Sequence, residues 1–140
     1  MRVYLDSSAL LKRVLVESES EALVQDLDSY AAGDALLVSS SLAWVEVSRA
    51  LRNRLDSGFV AVAEHLEDAM NGIAEHPVED EILGLSRRLN PNALRSLDAL
   101  HLASALVLDT DIMLTYDDRL AQACEQNGLP TSAPGRVASS

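Results

Sequence analysis

The sequence predicts an α/β fold with a mainly parallel sheet of short strands and helices on both faces. Two observations predict it: short apolar, β-prone runs recur along the chain, and segments of helical periodicity separate them. A third bounds it. The 140 residues are 48% hydrophobic and 24% charged, with no internal repeat or linker, which suits one domain that buries a core without staples. We place that domain at 1–132 and expect a flexible tail at 133–140, where Ser, Ala, Pro and Gly dominate.

The elements follow in order. Met1–Leu5 reads as a strand through Val3, Tyr4 and Leu5, and it runs into Asp6-Ser7-Ser8, a helix-capping triplet before a helical Ala9–Val16. Ser18 with Glu21 forms a capping box for a helix that reaches about Tyr30 and is stopped by Gly33. Ala35–Val38 is a short buried strand. Ser39–Ser41 then caps a long amphipathic helix to Leu55, and Asp56-Ser57-Gly58 breaks it before another helix from Val60 to Ile73. Pro77-Val78 fits a brief strand and Glu79–Leu89 a helix, closed by Asn90-Pro91-Asn92. Ser96–Leu108 is apolar on most faces and should be a buried helix. Ile112–Thr115 is a strand and Asp118–Gln126 a helix, ended by Gly128-Leu129-Pro130.

Several function classes are excluded or weakened at once. The lone Cys124 rules out an internal disulfide framework and a cysteine-ligated zinc site. No apolar run reaches the roughly 20 residues that span a bilayer, and Asp6, Lys12 and Arg13 interrupt the first segment, so the expected setting is the cytoplasm without membrane contact. The net charge of -11 argues against a general positive field for nucleic acid. An aromatic content of 4% disfavours a platform of stacked rings.

The positions of the acids carry more than their number. Asp6 directly follows the first strand and Asp117 follows Ile112–Thr115, the places where α/β sheets collect functional groups. Glu46 and Asp98 each interrupt apolar helical surroundings, where an ionised carboxylate is costly unless paired or bound to a cation. Four such acids make an oxygen-ligand site for Mg²⁺ or Mn²⁺.

Four segments then match a known family: VYLDSSALLKRV at Val3–Val14, VEVSRAL at Val45–Leu51, RSLDALHLASAL at Arg95–Leu106 and LTYDDRLAQACEQNGLP at Leu114–Pro130. In order and spacing the chain resembles the PIN-domain ribonucleases, and among them the VapC-type toxins of VapBC toxin–antitoxin pairs. The resemblance implies a three-layer α/β/α sandwich and a metal-dependent endoribonuclease acting on tRNA, rRNA or mRNA. It also implies a cognate VapB-like antitoxin and a homodimer. Carried over residue by residue, the catalytic acids fall on Asp6, Glu46, Asp98 and Asp117. Asp6, Asp98 and Asp117 would hold one or two Mg²⁺ ions, with Glu46 as a further ligand or as acceptor for a water. Asp118 could take the fourth position instead, and Ser8 and Thr115 would orient carboxylates from behind.

Each residue also has a plainer reading. Asp6 and Asp117 are good helix caps, Glu46 could pair with Arg49 on a solvated helix face, and Asp98 could favour its helix dipole. Lys12-Arg13, Arg49-Arg52-Arg54 and Arg87-Arg88 read as solvated faces, with Arg49, Arg52 and Arg95 the better candidates for substrate or partner contact, and Arg119 as support for the Asp117 loop. His101 should pack within its helix or satisfy a local hydrogen bond, and His65 and His76 should lie at the surface. Cys124 should be an inert core thiol, and Trp44 a core or interface residue. Two other functions stay open at this point: a catalytically silent PIN-like protein-binding module, and a phosphoacceptor α/β domain that uses Asp6. The single lysine, Lys12, sits badly for the second.

Overall fold

The computed structural model describes residues 1–137. Its sheet has five strands among the described residues: β1 (Arg2–Leu5), β2 (Leu36–Ser40), β3 (Ala74–His76), β4 (Ile112–Leu114) and β5 (Thr131–Ser132). They are ordered β3-β2-β1-β4-β5, and every pair is parallel. The intervening helices are α1 (Ser7–Leu11), α2 (Ser20–Ala32), α3 (Ser41–Leu55), α4 (Phe59–Met70), α5 (Asp80–Ser86), α6 (Ser96–Val107) and α7 (Asp118–Gln126). The α/β/α sandwich expected from the sequence is the observed fold.

Strand alternation sorts the core into two halves. Val3 and Leu5 of β1, Leu37 of β2 and Leu114 of β4 face the cluster built by α1 to α4, where Leu23, Val47 and Val62 pack. Tyr4, Val38 and Met113 face the opposite cluster, which α6 and α7 fill with Leu102, Leu120 and Cys124. The central strand is therefore apolar at consecutive positions, as a strand covered on both faces must be.

Local chemistry sets the helix starts. Ser40 caps α3 by accepting the Leu42 N–H at 3.1 Å, and Asp117 caps α7 by accepting the Arg119 and Leu120 N–H groups at 2.9 and 3.2 Å. The box expected at Ser18 does not form. Glu19 occupies the cap without a side-chain bond, because the Ser20 hydroxyl takes the Glu17 N–H at 2.9 Å and fixes the turn one step later. The first helix is shorter than expected and gives way to turns after Leu11.

Two further readings need correction. The third strand is Ala74–His76 rather than Pro77-Val78, since Pro77 has no N–H to give to a ladder. Lys12 is buried rather than solvated. Its Nζ donates to Glu17 at 2.8 Å and Glu19 at 3.1 Å and lies 4.7 Å from the centre of the Tyr116 ring. Its neighbour Arg13 donates to the Ala69 and Asn71 carbonyls, tying the α1 turn to the end of α4.

Of the segment expected to be flexible, residues 138–140 lie outside the described residues. Before them, Ala133 packs on the first core cluster and the Pro134 carbonyl accepts the Tyr116 hydroxyl at 2.8 Å. Arg136 pairs with Asp118 at 2.8 Å. Gly135 permits this close course: it has φ 82°, and a Cβ there would come within 3.0 Å of Ala22 and 3.1 Å of Glu19.

Candidate active site

The chain runs from β1 outward to β2 and β3, then returns to lay β4 on the other side of β1. The carboxyl ends of β1 and β4 thus flank a topological switch point, where open parallel sheets bind ligands. Asp6 leaves β1 there, and Thr115 to Asp117 leave β4.

Asp6 is buried and tightly held. Its Oδ1 accepts the Ser8 hydroxyl at 2.7 Å and the Ala9 N–H at 3.0 Å, while its Oδ2 accepts the Thr115 hydroxyl at 2.5 Å. Burial pushes its carboxyl above the usual carboxylate range, and the Thr115, Ser8 and Ala9 donors offset only part of that rise. Ser8 and Thr115 also receive the Tyr116 and Asp117 N–H groups, at 2.9 and 3.1 Å. Two hydroxyls therefore lock Asp6 and the β4–α7 loop into one unit.

Asp98, in the first turn of α6, is the electrostatic centre of the site. Burial raises its pKa, and Asp117, Asp6 and Glu46 raise it further by like-charge repulsion. Three acids distant in sequence thus act on one carboxyl. Asp98 and Asp117 line a cleft of about 320 Å³ together with Arg95, Asp118 and Arg119. Asp118 itself is well exposed and engaged by Arg136, whereas Asp117 spends only Oδ1 on the helix cap. Asp117 is the better donor to the cleft.

Glu46 does not pair with Arg49. Its Oε1 meets His101 Nε2 at 2.5 Å, and His101 Nδ1 meets the Tyr4 hydroxyl at 2.7 Å. Burial holds the Tyr4 phenol well above its ordinary pKa, so it stays protonated and donates to Nδ1. The bonds fit a neutral imidazole that carries its proton on Nε2 and donates it to Glu46. His101 therefore joins α6, β1 and α3, a longer-range task than the local bond expected of it. Its sequence signal was only that it lies, fully buried, in the Leu97–Leu106 run.

The donor chemistry suits a hard divalent cation, since all four acids offer carboxylate oxygen. Among the described residues no group of three or more His, Cys, Asp or Glu side chains is drawn together tightly enough to hold an ion by itself. Hard divalent ions of the smaller kind are held by one or two carboxylates with waters and phosphate oxygens rather than by an all-protein cage. Arg49 is exposed on α3, and Arg95 alone of the three suggested contact arginines lines the cleft. The phosphoacceptor role fits poorly, because both oxygens of Asp6 are occupied and Lys12 is committed to Glu17 and Glu19.

Comparison with known proteins agrees with this architecture. The PIN domain family model matches residues 3–126. Ribonuclease VapC47 of Mycobacterium tuberculosis is 32% identical over 137 residues, covering 96% of this chain and 98% of that protein. Ribonuclease VapC46 of the same species is 38% identical over 134 residues, covering 94% and 97%. Among solved structures, VapBC2 from Rickettsia felis bound to a promoter DNA fragment superposes with a TM-score of 0.75 at 10% identity, over 94% of this chain and 98% of that one. The sarcin-ricin loop cleaving toxin VapC20 of Mycobacterium tuberculosis gives 0.64 at 13%, over 86% and 94%. At such identities the structures speak for the fold alone.

Proposed function

The chain belongs to the PIN domain family, in its VapC group, and from that premise we propose that it is a Mg²⁺- or Mn²⁺-dependent endoribonuclease toxin neutralised by a cognate VapB-like antitoxin. One observation carries the reading: Asp6, Glu46 and Asp117 all act on Asp98 beside a cleft flanked by Arg95 and Arg119. Such a cleft offers carboxylates for a cation and guanidinium groups for a phosphate chain.

In this reading Asp6, fixed by Ser8 and Thr115, would hold the ion together with Asp98 and Asp117. When bound, the ion supplies Lewis acidity toward the scissile phosphate and toward an attacking water. Glu46 accepts the proton of that water. His101 occupies its Oε1 and so leaves Oε2 for the task. The water oxygen bonds to phosphorus, the bond to the leaving sugar oxygen breaks, that oxygen takes up a proton from solvent, and Glu46 returns its own proton to solvent. Arg95 and Arg119 steady the flanking phosphates, which lets a chain of charge -11 meet RNA locally.

The same concentration of acids suits a basic antitoxin segment. The substrate places the protein in the cytoplasm, and no helix among the described residues is long and apolar enough to cross a membrane. A homodimer is the assembly expected of the group. Cleavage of tRNA, rRNA and mRNA preparations with Mg²⁺ tests the reading. New RNA ends should form with the wild type and vanish with EDTA or with Asp98→Asn. Ends that persist in Asp98→Asn would overturn the site. A wild type that cuts none of the three RNAs yet binds its antitoxin would be a silent binding module.

A further inference from the structure

A second cleft adjoins the acidic one and belongs to no residue assigned so far except Arg119. Its volume is about 390 Å³, within the size range of small-molecule sites, and Pro91, Ala93, Leu94, Arg119, Gln122 and Gln126 line it. Arg119, Gln122 and Gln126 are spaced three and four residues apart, so α7 presents them as one stripe. The facing wall is the apolar loop before α6. That wall is preset: the Leu94 N–H reaches the Pro91 carbonyl at 3.0 Å, and Asn127 Nδ2 reaches the Asn90 carbonyl at 3.0 Å.

We infer that this cleft is a subsite for one unpaired nucleobase of the RNA, the base next to the phosphate held at Asp98 and Asp117. The inference rests on the nuclease reading and deepens it. Three features select a base over other occupants. Arg119 lines both clefts, so a phosphate in the first leaves its attached nucleoside at the mouth of the second. The lining carries no acid, and its two amides each offer both a donor and an acceptor, the complement of a base edge. A flat heterocycle also fits between an apolar wall and a planar guanidinium, which replaces the aromatic platform that a chain with 4% aromatic residues does not offer. Gln122 and Gln126 are then specificity-determining residues, and the toxin reads at least one base directly.

The test titrates ¹⁵N-labelled full-length protein in Mg²⁺ with the four nucleoside 5′-monophosphates and with ribose 5-phosphate. At least one nucleotide should shift the side-chain amide signals of Gln122 and Gln126 and the backbone signals of Leu94 and Ala123. It should bind about tenfold more tightly than ribose 5-phosphate, the discrimination expected of a good amide–base pair. The Gln122→Leu/Gln126→Leu protein should bind that nucleotide no better than ribose 5-phosphate. Equal binding of all five probes, shifts confined to the acidic cleft, or an unaffected double variant would each overturn the subsite. The parallel RNA cleavage assay keeps the two readings apart. Cleavage without these shifts removes the subsite and keeps the nuclease, whereas shifts without cleavage do the reverse.

Discussion

Replacing Thr115 by Val tests how the site is held together, because the two side chains have nearly the same shape and differ in one hydroxyl. That hydroxyl donates to Asp6 Oδ2 at 2.5 Å and accepts the Asp117 N–H at 3.1 Å. The first bond serves a buried carboxylate, and hydrogen bonds to charged groups contribute about 1.5–3 kcal/mol. The second, partly buried, adds about 0.5–1 kcal/mol. Thr115→Val should therefore destabilise by about 2–4 kcal/mol at neutral pH, or lower Tm by roughly 6–15 °C for a chain of this size. The loss has a sign in pH. Thr115 pulls the raised Asp6 pKa downward, so its removal lifts the folded pKa further from the unfolded value. The stability difference is thus largest above the folded pKa and shrinks as acid protonates Asp6 in both proteins. Urea unfolding in EDTA, followed by far-UV circular dichroism near neutrality and at mildly acidic pH, measures both quantities. Thr115→Ser keeps the hydroxyl and should stay close to wild type. A Val variant as stable as wild type, or a deficit equal at both pH values, would refute the reasoning.

Three further outcomes follow from the same geometry. Asp98→Asn should melt higher than wild type without metal: the fold raises the Asp98 pKa, so its charge costs stability once pH passes the ordinary carboxylate value, and added Mg²⁺ should narrow the gap in thermal melts. Burial pushes the Cys124 thiol up to about 12, so iodoacetamide should leave it unmodified by mass spectrometry until the protein is denatured. Tyr4→Phe strands His101 Nδ1 and should cost about 1–3 kcal/mol in urea titrations, while slowing RNA cleavage through a looser Glu46.

The apolar strands and the long helices were legible because burial on both faces leaves unbroken hydrophobic runs. Ser40 and Asp117 were legible as caps because capping is a local bond. What escaped was nonlocal or weakly buried. Thr131–Ser132 pairs with β4 on the sheet edge through its backbone, with no side-chain pattern to announce it. Ala74 and Glu75 are exposed, so the edge strand β3 has no alternation to read. Lys12 looked solvated because its charge shows in the sequence and its partners in the Glu17–Glu19 turn do not. Glu46 and Asp98 stood out by their apolar settings and Asp6 and Asp117 by their strand ends, but the joint action on Asp98 depends on strand order. The path from Tyr4 through His101 to Glu46 spans three elements and has no sequence signature beyond a buried histidine.

The placement of β1 bears on how the molecule comes apart. It is paired on both sides, and its Val3, Tyr4 and Leu5 are wholly inaccessible to solvent. Amides in such a strand exchange with solvent only through the largest openings, while β3 and β5 at the margins fray at little cost. Asp6 is the next residue of β1's chain, and its own N–H is bonded to the Leu114 carbonyl. The carboxylate at the heart of the site is thus anchored to the segment that exchanges last. Local fraying at the sheet margins leaves Asp6 in place.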